Sequence, residues 1–241
     1  MISEILASLL GMPLVALTII TILLSLVMTL VYKWMTDQTQ MKLLREDLKK
    51  YQKQVKENKD NTDKLLDLQK KVMDINLQYM MQSLKPMAVT MLPVLLVFSW
   101  LSGHYAYEPL YPGQDFSVEV AAAPGITGHV VLDAPELTVD QAEKELVDGK
   151  ANWKIKGKEG EYFLSIKTQG NEYNKEILIT PQQQYATPQA KISDGILDTI
   201  SVQMKPLTVL NLFGWELGWL GTYILFSVLF TVMWRKMLDV Q

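Results

Sequence analysis

Apolar and polar positions are segregated along this chain into three uncharged runs, with two polar segments of different period between them. The first run, residues 5–32, holds no charged side chain, and LVALTIITILLSLVMTLV fills 14–31. About 20 apolar residues cross a hydrocarbon core, so residues 12–32 are predicted to be a transmembrane helix. Glu4 stands where a signal peptide would carry positive charge, and no small-x-small site follows the long apolar stretch. The segment therefore reads as an anchor and not as a cleaved leader. The second run, 86–107, has an apolar heart at 86–101. At roughly 24 Å of helix it is shorter than a hydrocarbon core of about 30 Å, which implies local bilayer thinning. Pro93 in its middle should kink the helix or free a carbonyl. The third run, 206–234, is interrupted only by Glu216. Spans are thus expected at 12–32, 86–102 and 206–234.

The segment between the first two runs has helical period. Met41, Leu44, Leu48, Tyr51 and Val55 are spaced 3-4-3-4, ENKDNTD follows at 57–63, and Leu65, Leu68, Val72, Ile75 and Tyr79 resume the spacing. Each stripe needs a partner, so 33–85 is expected to be an antiparallel coiled-coil hairpin. Met80, Met81, Met87 and Met91 follow near the boundary of the second span. Methionine adapts to varied apolar partners, though it also simply fills gaps. Between the second and third runs the period changes to two. Phe116, Val118 and Val120 alternate with small or polar neighbours, and 129–134, 152–156, 161–168 and 175–180 are further strand candidates. Turn signals at Pro124-Gly125, 157–160 and Gly170-Asn171 separate them. Five or six short strands suggest a small β-sandwich-like domain within 103–205, immunoglobulin-like in character, with 182–188 as a linker back to the membrane. The expected fold class is therefore an α-helical membrane protein of three transmembrane helices, with a cytoplasmic coiled-coil hairpin and a small extracytoplasmic β domain.

Bulk composition hides this segregation. The 241 residues have a mean hydropathy of +0.08 and a net charge of −3. Residues 33–85 hold 12 Lys/Arg against 8 Asp/Glu, and 103–205 hold 9 against 15. Arg235 and Lys236 directly follow the third run. The positive-inside rule puts 33–85 and the C-terminal 235–241 in the cytoplasm, and the N-terminal 1–11 and 103–205 outside. Trp34 and Trp234 would mark the inner interface, with Trp100, Trp215 and Trp219 at the outer one. The absence of cysteine excludes a disulfide framework, a thiol nucleophile and thiolate metal sites. His104 and His129 have no ligand-spaced neighbours. No catalytic constellation, metal site or cofactor is expected, and the chain does not read as an enzyme. The near-neutral charge argues against a globally basic nucleic-acid binder, and no sequence-specific nucleic-acid partner is expected.

Two features could carry function. Thr18, Thr21, Ser25 and Thr29 fall within about 80° of one another on a helix of 100° per residue. Tyr223, Ser227 and Thr231 form a second stripe, and Thr90 and Ser99 lie in the second run. Such hydroxyls either bond back to their own helix at helix–helix contacts or line a polar groove. A groove would lower the cost of moving a charge through mid-membrane, which is at least about 2.5–3.5 kcal/mol. Lys42, Arg45, Lys49, Lys50, Lys53, Lys56 and Lys59 crowd the first arm and the tip of the hairpin. They form either a solvated face or a docking surface for an anionic partner, lipid headgroups or RNA.

The order of these parts, with KPMAVTMLPVLLVFSWL at 85–101 and GWLGTYILFSVLFTVMWRKML at 218–238, resembles the archaeal branch of the YidC/Oxa/Alb membrane-insertase superfamily. That superfamily is related to a subunit of the eukaryotic endoplasmic-reticulum membrane complex. The likeness covers roughly 12–105 and 206–238. It implies an insertase or chaperone without ATP, which receives nascent membrane proteins from the ribosome and guides segments with short translocated tails along a groove open to the cytoplasm. Thr18, Thr21, Ser25, Thr29, Thr90, Tyr223, Ser227 and Thr231 are then the expected groove lining. Lys49, Lys53, Lys56 and Lys59 are the expected ribosome contacts. The lipid bilayer and the Sec translocon complete the implied partners. Two features depart from the pattern: the first span lacks the arginine that bacterial members carry in the groove, and the external β domain is larger than the minimal archaeal form. The competing readings are a structural or sensory membrane protein, or an accessory subunit of a translocon or transporter, binding through the β domain.

Overall fold

The computed structural model describes residues 11–58 and 61–240. Most of the expected extracytoplasmic N-terminus and one expected ribosome contact, Lys59, lie outside the described residues. The chain divides into a helical unit, Leu17–Ser99 with Gly221–Gln241, and a β unit, Trp100–Leu220 with the N-terminal residues.

Four helices are described. Helix α1 (Pro13–Met35) opens with a proline, whose missing N–H costs nothing in the first turn. Its buried positions include Leu17, Thr21, Leu24, Ser25 and Thr29, whereas Ile19, Leu23 and Val27 are exposed. Aliphatic side chains outward and hydroxyls inward is the arrangement a helix adopts where its surroundings are as apolar as leucine. Helix α2 (Gln38–Glu57) starts at Asp37, whose carboxylate accepts from the Gln40 N–H at 3.0 Å. Helix α3 (Thr62–Tyr105) starts at Asn61, whose side-chain oxygen accepts from the Lys64 N–H at 3.1 Å. It runs 44 residues through Pro86 and Pro93, which leave the carbonyls of Gln82 and Val89 without their helical donors. Helix α4 (Trp219–Met237) is the shortest at 19 residues.

Among the described residues the β unit contains eleven strands in three antiparallel sheets. One sheet has the order β3 (Thr138–Val139), β5 (Lys150–Lys156), β1 (Asp115–Ala122), β9 (Leu197–Gln203), β8 (Gln189–Lys191). The second has the order β4 (Glu143–Glu145), β2 (His129–Asp133), β6 (Gly160–Thr168), β7 (Asn171–Ile179). Strands β10 (Leu210–Leu212) and β11 (Trp215–Leu217) pair only with each other. Strict alternation decides which face is inside. In β5, Ala151, Trp153 and Ile155 are buried and the four residues around them are exposed. Val118 and Val120 of β1, Leu164 and Ile166 of β6, and Ile177 and Ile179 of β7 complete one core with Trp153.

The 182–188 segment does more than connect. Tyr185 Oη donates to the Ser102 carbonyl at 2.5 Å, and the Gln183 amide donates to the carbonyls of His104 (3.0 Å) and Tyr107 (2.9 Å). Carbonyls at a helix end have no partner of their own, so this segment caps α3. Lys175 on β7 holds the far end of the segment, donating to the carbonyls of Thr187 (2.5 Å) and Glu176 (3.0 Å). It is buried, and desolvation lowers its pKa from the ordinary lysine value of 10.5.

The expected fold class is corrected on three counts. Eleven strands in three sheets, where five or six were expected, make the chain a mixed molecule and not an α-helical one. Five of the missed strands are two or three residues long, too short to show a period. The sixth, β9, buries Leu197, Ile200 and Val202 across a register shift that breaks the alternation. Two helices, α1 and α3, are long and apolar enough to cross a membrane, and a third span over 206–234 is not found. Residues 210–217 of that run form a hairpin, and Trp, Tyr, Thr, Ser, Arg and Lys dilute the apolar content of α4. The coiled-coil hairpin is also overturned, since its second arm and the second run are one continuous helix. On the two stripes only Met41 is fully buried, with Leu44 and Leu68 nearly so and the other seven positions half-buried.

Candidate functional site: a cavity among three helices

Within the helical unit, α1, α3 and α4 surround an open cavity of about 250 Å³. Helix α1 contributes Met28, Thr29 and Tyr32, α3 contributes Ser83, Pro86, Met87 and Thr90, and α4 contributes Thr231 and Arg235. Local spacing explains the set. Thr29 and Tyr32 are three apart, and Ser83, Pro86, Met87 and Thr90 follow a 3-1-3 pattern. Thr231 and Arg235 are four apart, so each helix presents one face. Lys33 Nζ donates to the Leu238 carbonyl at 2.8 Å, and the Arg235 guanidinium lies 4.9 Å from the centre of the Tyr32 ring. These contacts fasten the end of α4 to the end of α1. Phe98 and Tyr223 pack edge to face at 4.8 Å farther along α4.

The hydroxyls of the site are mostly occupied by their own helices. Thr29 donates to the Ser25 carbonyl at 2.7 Å, and Thr90 donates to the carbonyls of Pro86 (3.0 Å) and Met87 (3.2 Å). Each oxygen keeps its acceptor capacity, so the cavity wall presents acceptors and one fixed cation on a mainly apolar ground. Among the described residues no Asp or Glu lies within ion-pair distance of Arg235. A cation stacked on a tyrosine face is held in place without being neutralised.

Three of the eight expected lining residues, Thr29, Thr90 and Thr231, meet at this cavity. Thr21 and Ser25 are buried and donate to the carbonyls of Leu17 (2.7 Å) and Ile22 (3.0 Å), in the packing arrangement. Thr18 is half-buried on α1, outside the cavity lining. Tyr223 is buried against Phe98, and Ser227 donates to the Ile224 carbonyl at 2.9 Å. Arg235, Tyr32 and Ser83 belong to the lining and were not in the expected set. The signal for Arg235 was present, since 223, 227, 231 and 235 continue one i, i+4 stripe.

On α2, Lys49, Lys53 and Lys56 are exposed and fall within about 60° of each other around the helix. Lys53 is shared with Glu57 at 3.8 Å. His104 stacks on Trp100 at 4.3 Å, and His129 lies 3.5 Å from Glu143. Among the described residues no group of three or more His, Cys, Asp or Glu could hold a metal.

A family model described as integral membrane protein EMC3/TMCO1-like matches residues 2–134, more than half of the 241. The family belongs to the broader Oxa/YidC/Alb insertase-related superfamily, and the match is not specific to the YidC branch. The matched region covers α1, α2, α3 and the first two strands, leaving most of the β unit and α4 outside it. No curated protein and no solved structure matches the chain.

Proposed function

Since the chain belongs to the EMC3/TMCO1-like family of integral membrane proteins, we propose that it is an insertase or chaperone for membrane segments with short translocated tails. The observation that carries this reading is the cavity among α1, α3 and α4, which combines hydroxyl acceptors, the apolar face of Met28 and Met87, and the cation of Arg235. An apolar segment would pack against the methionines, which adapt to different side chains without a fixed shape. A polar tail would meet Thr29, Thr90 and Thr231 in place of lipid, reducing the desolvation cost of crossing. Arg235 would draw a negatively charged tail. It supplies from α4 the cation that the resemblance places on the first span of bacterial members.

In this reading the basic 33–85 segment faces the cytoplasm, and the β unit faces the opposite side, following the positive-inside rule. Lys49, Lys53 and Lys56 supply the ribosome-facing charge, with Lys59 beside them in sequence. No bond is made or broken: the cavity lowers the barrier to a transfer by offering a polar path, and no covalent chemistry is needed.

Arg235 gives the most direct test. Insertion into proteoliposomes of a single-span substrate with an Asp-rich translocated tail should fall by about five- to thirtyfold on Arg235→Glu, equivalent to roughly 1–2 kcal/mol. A Lys-rich tail on the same span should gain or stay level. Equal loss for both tails would mean that Arg235 serves only to fasten α4, and would remove the electrostatic part of the proposal.

A further inference from the structure

Strands β10 and β11 form a two-stranded hairpin that belongs to neither large sheet. Leu212 pairs with Trp215, so the loop is the two residues Phe213 and Gly214, both at positive φ (53° and 90°). This is the turn that asparagine, aspartate and glycine normally fill, and a bulky residue there is an outlier. Two other turns of the β unit, Asp148-Gly149 and Gln169-Gly170, have the same signs of φ with a polar first residue. Only the Phe213 turn puts an aromatic ring at that position, and the ring is entirely exposed, at 104% of its reference area. Trp215 beside it is 77% exposed. The turn is well made in other respects, since the Asn211 side-chain oxygen accepts from the Gly214 N–H at 3.1 Å.

The base of the hairpin is tied to the end of a membrane-crossing helix. The Leu207 N–H donates to the Ala106 carbonyl at 3.1 Å, one residue beyond the end of α3, and the Glu108 N–H donates to the Lys205 carbonyl at 2.9 Å. Gly218 alone separates β11 from α4. Three residues of strand reach about 10 Å, and the headgroup layer is roughly 5–8 Å deep on each side of the hydrocarbon. A hairpin fastened where α3 ends can therefore place its tip within that layer.

We propose that the 210–217 hairpin is a membrane-interface anchor, with Phe213 and Trp215 embedded among lipid headgroups and upper acyl chains on the side of the bilayer that the β unit occupies. Lipid accounts for what solvent does not: two large aromatic rings on a strained turn, with no protein covering them among the described residues, at the level where the chain leaves the bilayer. The anchor is independent of the helical cavity, and either can fail without the other.

The chain has no cysteine, so single spin labels can be placed without removing native thiols. In the full chain reconstituted into phosphatidylcholine vesicles, a nitroxide at Phe213→Cys should be more accessible to oxygen than to a water-soluble nickel chelate. A nitroxide at Glu159→Cys, exposed in the β unit, should show the reverse. A Glu216→Cys label with Phe213 intact should read as interfacial and shift toward water on Phe213→Ser. Three results would overturn the proposal: a Phe213 label as wet as Glu159, a Phe213 label shielded from both reagents as at a protein contact, or a Glu216 label indifferent to Phe213→Ser.

Discussion

The β unit and the helical unit bury their residues for opposite ends. In the β unit Val118, Trp153, Leu164 and Ile166 are sealed to zero exposure, and charged residues occupy the outside of the strands. In the helical unit the sealed positions include Thr21, Ser25, Thr29 and Thr222, while Leu23, Met87, Leu92, Leu96 and Leu229 point outward. The first pattern lowers free energy by removing apolar area from water. The second only makes sense where the outside is apolar and internal contacts depend on close packing and back-bonded hydroxyls. The lesson is that burial alone does not identify a functional face: a fully buried Ser25 is a packing residue, and a half-buried Thr90 is a candidate contact for a passing segment.

The largest expected effect sits in the sealed core. Trp153→Ala should cost about 3–5 kcal/mol, through lost burial and the cavity left behind. Denaturant unfolding of the β unit, followed by near-ultraviolet dichroism in the full chain, measures it. The same truncation at exposed Met87 should change unfolding by less than about 1 kcal/mol. A comparable loss at Met87 would mean that the helical unit packs as tightly as the β unit, and the contrast would be gone.

A smaller effect concerns Lys175. Burial holds its pKa below 10.5, so the charged form is penalised in the folded state. Between that lowered value and 10.5 the unfolded chain binds more protons than the folded one, and stability from this group rises with pH across the window. Below the lowered pKa the penalty is fully present. Lys175→Met should abolish this rise, as read by unfolding at a series of pH values up to 10.5. Persistence of the slope would assign it elsewhere.

The smallest effect belongs to the exposed face of α2. Removing the Lys53–Glu57 pair at 3.8 Å by Lys53→Ala should shift helix stability by no more than about 0.5 kcal/mol. A larger loss would make the basic stripe structural and weaken its reading as a docking face.

Much of this was legible from residue patterns, and the misses have physical reasons. The 28-residue uncharged run at 5–32 holds all but the last three residues of α1, and the period-two segments at 152–156 and 161–168 lie in β5 and β6. Heptad spacing at 65–79 located a helix, but periodicity cannot report that it continues for 44 residues into the next apolar run. Residues 206–217 are uncharged but for Glu216, and hydropathy alone could not distinguish a hairpin there from the start of a span. The site was half visible. Hydroxyl stripes located Thr29, Thr90 and Thr231, but sequence gave no way to separate them from Thr21 and Ser25, since rotation about a helix axis is set by neighbours that periodicity does not name. Its place after the last apolar run marks Arg235 as a topology charge, and only the packing of α4 on α1 puts it at the cavity.

Two hydroxyl positions of nearly equal sequence character separate groove from packing most directly. A photo-crosslinking residue at Thr90 and one at Ser25, each in the full chain and challenged with ribosome-bound nascent membrane proteins, should behave differently. The account predicts adducts with the nascent chain from Thr90 and none from Ser25. Adducts from neither position, or equal labelling from both, would contradict it.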